Sequence, residues 1–357
     1  MDLTPQRPGD GATLPVDPRT GLILVGSPAI TPTDARQLRR EIRAGSVRRV
    51  RRGVATDSER WAGLSFEEKY RDRINAVLAT RVQRHVLGFD SAAAFWGYPL
   101  NSIGARSVHL LVRPESHARS KNGVTVHRSD FDDDDVLEID DILVTTPLRT
   151  LFDLARSSSF RDAVVALDHG LNAQRASPQS FVTLGELGAR LERERARHSS
   201  GGRGLVKADR AIRFAKPNAA NGGESLSRVA ISDLGFPDPK LQVAHVNPRG
   251  GFYFTDLEWP EYQVIGELDG RGKYLKPEYL NRMTPGEAVY AEKIREDHLR
   301  AENNRVARWG MPDVMQPERL YRILRQVGLP VGVPGRQLLP VRTGAAGVPA
   351  TPVRTGN

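Results

Sequence analysis

Apolar and polar residues alternate along the stretch Phe252–Tyr274, and this period of two predicts a pair of β-strands. The pair Pro260–Glu261 interrupts the alternation, and the fixed φ of proline favours a turn there. Side chains of a strand point alternately to the two faces of a sheet. A loop of two or four residues centred on this pair would therefore place Asp256 opposite Ile265, whereas a three-residue loop would break the parity.

Helical spacing of apolar residues surrounds this hairpin. Over Glu224–Gly235, apolar side chains recur at intervals of three and four, which predicts a helix with one buried face. A second helix is predicted over about 285–304, a strand over Arg305–Trp309 and a last helix over Pro317–Val327. Residues 205–330 are thus predicted to form a mixed sheet flanked by helices, with the two hairpin strands adjacent.

The N-terminal part carries a different pattern, rich in arginine. Apolar residues at helical spacing follow a cap at Thr31 or Thr33 and end before Gly45, which predicts a short helix. The next segment, Ser46–Thr56, interleaves valines with arginines and predicts a pair of strands. A helix followed by an arginine-loaded strand pair is typical of a winged-helix domain, in which the wing contacts DNA phosphates, although a solvated basic face has the same composition. The arginines are Arg48, Arg49, Arg51 and Arg52.

The segment 86–190 predicts a small α/β domain. It begins with a capped helix, continues with strands over 107–114 and 123–131, and then has two amphipathic helices. Its histidines fall on different elements, and a lone histidine packs more often than it reacts, so the sequence assigns them no chemistry. They are His109, His127 and His169. The acidic run Asp132–Asp135 lacks the spacing of a calcium-binding loop and predicts a solvated turn.

Composition narrows the choice of partners and compartment. The chain has 357 residues, of which 39% are hydrophobic, enough for two or three cores. It has no cysteine, which excludes disulfides and thiolate metal sites and favours a reducing cytoplasm. Its formal net charge of +9 favours a polyanion such as DNA, although an arginine-rich proteome gives the same balance. No apolar run approaches the ~20 residues of a membrane helix, and neither a signal peptide nor a small-molecule cofactor site is predicted.

These patterns divide the chain into three folded domains, a linker and two end segments. The end segments are rich in proline and glycine and lack a core pattern, which predicts disorder. The linker is charged and ends in serine and glycine. In chain order the segments are 1–20 (disordered), 21–85 (winged-helix-like), 86–190 (small α/β), 191–204 (linker), 205–330 (mixed sheet with helices) and 331–357 (disordered).

Acidic residues give the hairpin its candidate chemistry. Asp256, Glu267 and Asp269 would share one sheet face, where neighbouring carboxylates repel each other and lose solvation. A divalent cation with oxygen ligands, Mg²⁺ or Mn²⁺, is the usual compensation, and a solvated outer sheet face is the alternative. Glu224 begins the preceding helix, where the helix dipole favours an acid whatever its function.

The spacing of these residues resembles a known nuclease core. The pattern D-x10-E-x-D-G-x-x-K, formed by Asp256, Glu267, Asp269, Gly270 and Lys273, resembles the PD-(D/E)XK nuclease superfamily. Within it, the branch similar to very-short-patch-repair endonucleases, a domain of unknown function, is the nearest. Two positions depart from the pattern: Asp269 replaces the usual lysine, and Lys273 replaces the histidine of the branch.

This resemblance extends over the last third of the chain, through Glu224, Gln242 and the segment Glu292–Trp309. It implies a restriction-endonuclease-like fold and an Mg²⁺-dependent endonuclease that hydrolyses phosphodiester bonds. Asp256 and Glu267 would hold the metal, and Glu224 would orient water. Asp269 would add a ligand or a supporting contact, and Lys273 would stabilise the phosphate.

The N-terminal segment and residues 86–174 resemble the AbiEi family of antitoxins, which autoregulate bacterial type IV toxin–antitoxin operons. That resemblance implies DNA as a partner, together with a cognate toxin protein. It also leaves a second function open. The chain would then be a non-catalytic DNA-binding regulator, whose degenerate nuclease domain is structural or binds DNA without cutting it.

Overall fold

The computed structural model of the chain divides into two compact units, Met1–Gly222 and Gly223–Asn357. Within the described residues, helices are interleaved with three β-sheets, so the predicted mixed α/β class is confirmed. No helix in this part of the chain is long and apolar enough to cross a membrane. The described residues are 14–81, 84–100, 107–198, 202–269 and 284–332.

A three-stranded sheet and an arginine-rich helix open the first unit. The helix has a reciprocal cap, because the Thr31 hydroxyl accepts from the Asp34 N–H and the Asp34 carboxylate accepts from the Thr31 N–H. Gly45 follows the helix with a φ of 82°, in the left-handed region that suits glycine. The elements are β1 (Ile23–Leu24), α1 (Pro32–Ala44), β2 (Val47–Arg51), β3 (Val54–Asp57), α2 (Ser58–Gly63) and α3 (Phe66–Ala79), with the strand order β1-β3-β2.

The core of this part lies between α1 and the sheet. Leu38 of α1 packs with Val47 and Ala55 of the hairpin and with Leu14. Because the apolar side chain of Leu14 belongs to this core, the expectation of disorder over 1–20 is wrong from Leu14 onwards. The first 13 residues lie outside the described part of the chain.

A five-stranded sheet and the helices α4 to α8 complete the part of the first unit that the structure describes. The strands are β4 (Val86–Leu87), β5 (Val108–Val112), β6 (Val124–Arg128), β7 (Val136–Ile139) and β8 (Ile142–Thr145), in the order β6-β5-β4-β8-β7. The helices are α4 (Phe89–Trp96), α5 (Pro147–Ser157), α6 (Phe160–Gly170), α7 (Leu184–Arg197) and α8 (Leu205–Phe214). The buried side chains of Leu151, Phe152 and Leu167 lie in the core that α5 to α8 share.

The division between the units falls after Gly222, later in the chain than the predicted linker 191–204. Helix α7 continues through the first half of that segment. Helix α8 follows, and its Leu205 and Ala208 are buried in the core of the first unit. The apolar face of α8 therefore assigns this helix to the first unit.

A network of buried charges ties α5 and α7 to the acidic turn before β7. Arg149 bonds Asp135 and Asp153, each at 2.8 Å, and Arg190 bonds Asp135 and Glu194. None of these five side chains is more than 7% exposed. The prediction of a solvated acidic turn is therefore wrong at Asp135, because two arginines distant in sequence neutralise this carboxylate.

A four-stranded sheet flanked by helices forms the second unit. Its elements are α9 (Gly222–Asp233), β9 (Lys240–Val246), β10 (Phe252–Trp259), β11 (Val264–Asp269), α10 (Pro285–Ala301), β12 (Arg305–Gly310), α11 (Met311–Val314) and α12 (Pro317–Gln326). The strand order is β12-β11-β10-β9, antiparallel except for the parallel pair β11 and β12. The predicted helix, hairpin, helix, strand and final helix are all present.

The turn of the hairpin lies one residue beyond the predicted centre. The loop 260–263 contains a 3₁₀ turn and ends in Gln263, whose φ of 50° is left-handed. As a result Glu258 pairs with Ile265, and the expected pairing of Asp256 with Ile265 is wrong. The loop nevertheless has an even number of residues, so Asp256 and Glu267 still lie on the same face of the sheet, as predicted.

Gly266 of β11 lies between two buried indole rings. A Cβ atom there would come within 3.1 Å of Trp259 and closer still to Trp309, so a side chain has no room. The Trp259 N–H donates to the Pro237 carbonyl at 2.8 Å, and the Trp309 N–H donates to the Ser227 hydroxyl of α9 at 3.0 Å. These bonds satisfy both indoles and attach α9 to the sheet.

Candidate functional site

The hairpin register brings Asp256 of β10 next to Glu267 of β11. Leu257 pairs with Gly266, and the two acids occupy the following position of the same antiparallel ladder. The Asp256 carboxylate accepts a hydrogen bond of 3.0 Å from the Leu268 N–H. Burial is the main cause of a raised pKa at Glu267, and the charge of Asp256 raises that pKa further, which requires the two carboxylates to be close.

Glu267 is a buried carboxylate with one arginine partner in this cluster. The residue is 6% exposed, and its Oε1 accepts a hydrogen bond of 2.8 Å from Arg295 of α10. Burial raises the pKa of Glu267 to about 7 against the opposing effect of Arg295, while Asp256 and Glu292 add to the increase. This carboxyl group therefore keeps its proton to a higher pH than an ordinary glutamate does.

Arg295 is the residue of this site that sequence reasoning missed. The sequence pattern predicted only the helix that carries this arginine, over about 285–304. In the structure the guanidinium also donates to the Phe254 carbonyl at 2.7 Å and to Glu292 at 3.1 Å. No local signal predicts its contact with Glu267, because 28 positions of sequence separate the two residues.

Asp269, the third acid of the hairpin, has a different partner. It is exposed at the end of β11 and pairs with Arg308 of β12 at 3.2 Å. Arg308 also pairs with Glu292 at 2.7 Å, so a chain of ion pairs runs from Asp269 to Arg295. Lys273, the other residue of the pattern to which a role was given, lies outside the described residues.

Glu224 and Gln242 meet in the structure. Glu224 is buried in the first turn of α9, and its Oε2 accepts a hydrogen bond of 3.3 Å from Gln242 Nε2. The residues on either side of Gln242 pair with the residues on either side of Asp256, so Gln242 is the cross-strand neighbour of that acid. Gln242 thus links Glu224 to the strand that carries Asp256.

The donor atoms of this site suit a hard divalent cation. Asp256 and Glu267 supply carboxylate oxygens, the ligand class that Mg²⁺ prefers. The raised pKa of buried Glu267 means that Arg295 offsets only part of the cost of its charge, and a cation would offset the rest. Across the described ranges, no group of three or more His, Cys, Asp or Glu side chains is placed to hold a metal ion.

The four N-terminal arginines do not share one surface. Arg49 and Arg52 are exposed, and with Arg51 they line a concave surface between α1 and the β2–β3 hairpin. Arg51 is half-buried, and its burial lowers its pKa. Arg48 instead lies over the ring of Trp61, 4.9 Å from the ring centre. Arg49 and Arg52 are thus the two exposed arginines of this concave surface, and Arg48 is exposed beside Trp61.

Comparison of the chain with family models, with curated proteins and with solved structures finds no match. Its function is therefore inferred from the acidic cluster and the arginine surface.

Proposed function

We propose that the chain binds DNA through its N-terminal arginines and hydrolyses phosphodiester bonds with the acidic cluster of its second unit. The observation that carries the proposal is the position of buried Glu267 beside Asp256 on adjacent strands. The order of helix, hairpin, helix and parallel strand supports a nuclease-like unit of the PD-(D/E)XK type. The net charge of +9 supports a polyanionic substrate.

In this proposal Asp256 and Glu267 hold a divalent cation, either Mg²⁺ or Mn²⁺. Bound there, the cation would polarise the phosphate and offset the negative charge that develops on it. Glu224, fixed by its hydrogen bond from Gln242, orients the attacking water. Arg295 supplies a fixed positive charge beside Glu267, in the role that the motif normally gives to lysine.

A second function is favoured by a specific observation, the chain of ion pairs around the acids. Arg295 pairs with Glu267, and Arg308 pairs with both Glu292 and Asp269. These contacts neutralise much of the acidic cluster within the protein itself. The chain would then be a DNA-binding regulator of the antitoxin type, in which the second unit does not cut DNA.

Cleavage assays separate the two functions. Plasmid, linear and single-stranded DNA are incubated with the full chain, with and without Mg²⁺ or Mn²⁺. The nuclease proposal predicts metal-dependent cleavage that is lost in Asp256→Asn and in Glu267→Gln. Glu261→Gln, which changes an exposed acid in the turn of the same hairpin, should cleave normally. DNA binding without cleavage in the unmodified chain would support the regulator instead.

Salt titrations test the DNA contacts independently of cleavage. Each phosphate contact contributes about −0.9 to the slope of log K against log salt concentration. Replacing Arg49 and Arg52 with alanine should weaken duplex binding and flatten this slope by up to ~2 units. Arg213→Ala is the matched control, since Arg213 is an exposed arginine of α8 in the same unit. If the control variant weakened duplex binding equally, the loss of binding would reflect the overall charge of the chain and not the arginine surface.

A further inference from the structure

The open end of the β9–β10 hairpin carries an apolar face that the proposed function does not use. Phe252 and Phe254 are alternate residues of β10, and they are 63% and 54% exposed. Their partners on β9 are Val246 and Ala244, which are also exposed. Single exposed apolar residues are common, whereas a contiguous group marks a binding surface. We call these four residues the phenylalanine platform.

The aromatic residue between the two phenylalanines packs within the protein instead. Tyr253 is half-buried, its hydroxyl is 3.1 Å from the Nδ1 atom of His298 of α10, and the two ring centroids are 5.9 Å apart. Phe252 and Phe254 flank this tyrosine and keep their rings in solvent, in the part of the chain that the structure describes. Two neighbouring rings on one side of the strand are therefore open to a ligand.

The phenylalanine platform is continuous with the acidic cluster. Asp256 occupies the next alternate position of β10 after Phe254. The Arg295 guanidinium donates both to the Phe254 carbonyl at 2.7 Å and to Glu267 at 2.8 Å, so one side chain holds the two regions together. At the opposite end of the platform, Arg249 is exposed in the turn between β9 and β10. The hairpin therefore presents a cation, two aromatic rings and the acidic cluster in that order.

This arrangement fits a nucleic-acid strand better than it fits another protein. Four side chains are far fewer than the roughly 20–30 residues that each partner contributes to a stable protein interface. A base needs only one ring to stack on, and aromatic rings beside basic residues are typical of proteins that bind single strands. Alternate strand residues lie about 6.6–6.8 Å apart, close to the spacing of bases in an extended single strand. The bases of a duplex cover each other's faces, so only unpaired bases can reach the rings.

We propose that the phenylalanine platform stacks unpaired bases of single-stranded DNA beside the acidic cluster, and that Arg249 contacts the phosphates of the same strand. The net charge of +9 suits this polyanion. The inference rests on the proposed nuclease function for the reaction that follows binding. It gives that function a substrate class, a strand whose bases are unpaired where it crosses the platform.

Fluorescence anisotropy with an oligothymidylate in EDTA tests the platform in the full chain. The parent chain carries Glu267→Gln, which prevents cleavage, together with Arg49→Ala and Arg52→Ala, which weaken binding at the arginine surface. In this parent, Phe252→Ala and Phe254→Ala should each weaken binding by about 5- to 150-fold, the range expected when one base loses its stacking partner. Because both rings are exposed, their removal leaves the core of the second unit intact.

Matched variants separate stacking from other effects. Tyr253→Phe removes only a hydroxyl, and Phe181→Ala removes an exposed ring of the first unit, so both should bind like the parent. Phe254→Leu keeps an apolar side chain without an aromatic face and should weaken binding as alanine does, whereas Phe254→Trp should retain it. A strand with abasic sites keeps its phosphates but lacks bases, so the parent should bind it more weakly than the oligothymidylate.

Unchanged affinity in both alanine variants, or equal affinity of the parent for the normal and the abasic strand, would overturn the proposal. A strand that contains 5-iodouracil should cross-link to Phe252 or Phe254, as located by mass spectrometry, and this measurement needs no variant of the platform. Cross-links confined to other residues would also overturn it. Because cleavage is absent from these measurements, the platform can fail while the nuclease proposal stands, and a chain that cuts no DNA can still pass this test.

Discussion

Asp135 in the first unit and Glu267 in the second are both buried carboxylates that meet arginine, yet they titrate in opposite directions. Burial alone would raise the pKa of Asp135, but the hydrogen bonds and charges of Arg190 and Arg149 lower it below its ordinary value. Burial raises the pKa of Glu267 to about 7; the bond from Arg295 opposes this increase only in part, and the charge of Asp256 adds to it. A carboxylate with two arginines is stabilised as an anion, whereas Glu267 still favours a proton or another cation.

The comparison gives the two clusters different expected roles. The Asp135 network joins two helices and a turn within the first unit, and each of its carboxylates pairs with an arginine, while burial raises the pKa of Asp153 within the same network. The Glu267 cluster keeps an unfavourable charge in the place where catalysis is proposed. Perturbed groups of that kind are typical of functional sites, although structural ion pairs also produce them.

The largest expected effect comes from removing one arginine from each cluster. Arg149→Met leaves Asp135 and Asp153 with one fewer buried cation and should lower the free energy of unfolding by about 3–5 kcal/mol. Arg295→Met should cost much less, because Glu267 can take up a proton and become neutral. Urea unfolding of both variants at pH 7 measures the difference. Equal losses would mean that the two clusters are equivalent structural networks.

The pH dependence of stability sharpens the comparison at Glu267. This carboxyl titrates near pH 4.5 when unfolded and near 7 when folded. Between these values the folded state keeps a proton that the unfolded state has lost, so stability falls as the pH rises from 4.5 to 7 and stays low above 7. At 1.36 kcal/mol per pKa unit, the loss is on the order of 3 kcal/mol.

Glu267→Gln cannot ionise and should lack this loss. Urea unfolding at pH 5 and pH 8 should therefore show the variant gaining on the unmodified chain as the pH rises. Parallel pH profiles for the two proteins would contradict the raised pKa. Asp135→Asn serves as the contrasting control: Asp135 has a lowered pKa and stabilises the folded state above pH 3.8, so its loss should be destabilising at both pH values.

Of the two clusters, only the one around Glu267 should respond to divalent metal. A ligand that binds only the folded state stabilises it by about 2.7 kcal/mol at a hundredfold excess over its Kd. Thermal melts with and without millimolar Mg²⁺ or Mn²⁺ should show this gain in the unmodified chain and lose it in Glu267→Ala. Asp135→Asn should keep the metal-dependent gain, whatever its own stability. A metal response that survives Glu267→Ala would place the bound ion elsewhere.

A third charged cluster is centred on His245, which loses its positive charge as the pH rises. His245 bonds Glu258 and Glu302, each at 2.7 Å. Burial opposes its charge, but these hydrogen bonds outweigh burial and raise the pKa of His245 above 6.5. Its contribution is therefore fully present below pH 6.5 and is lost as the pH rises through the folded pKa. We expect charged His245 to contribute about 0.5–1.5 kcal/mol to the free energy of unfolding, the usual net contribution of a hydrogen bond.

The measurement is the difference in unfolding free energy between the unmodified chain and His245→Gln at pH 6 and at pH 9. The difference should shrink at the higher pH, because the positive charge of His245 is lost as the pH rises through its raised folded pKa. A constant difference would mean that packing, and not charge, accounts for the role of His245.

Local sequence signals predicted most elements but not their partners. Alternation gave the β10–β11 hairpin, and the cap at Thr31 and the stop at Gly45 gave α1, because these signals act within a few residues. The predicted register was wrong because the loop extends to Gln263. This residue has a left-handed φ, and no glycine at this position signals such a conformation in the sequence. Parity still placed Asp256 and Glu267 on adjacent strands.

Local sequence signals did not predict contacts between residues that lie far apart along the chain. Arg295 reaches Glu267, and Arg149 and Arg190 reach Asp135, only because the fold brings separate elements together. His109 and His127 were each treated as lone histidines, and the sequence did not reveal that their strands are neighbours. In each instance the sequence shows the residue type, but it does not show which distant residue the folded chain brings next to it.

The indoles around Gly266 give the second unit a built-in optical reporter. The chain has four tryptophans, of which Trp61 and Trp96 belong to the first unit and Trp259 and Trp309 to the second. Trp259 and Trp309 are each 1% exposed and pack on the residue that precedes Glu267. With Trp61 and Trp96 replaced by phenylalanine, the emission spectrum of the chain would report on the core of the second unit next to Glu267, without any attached dye.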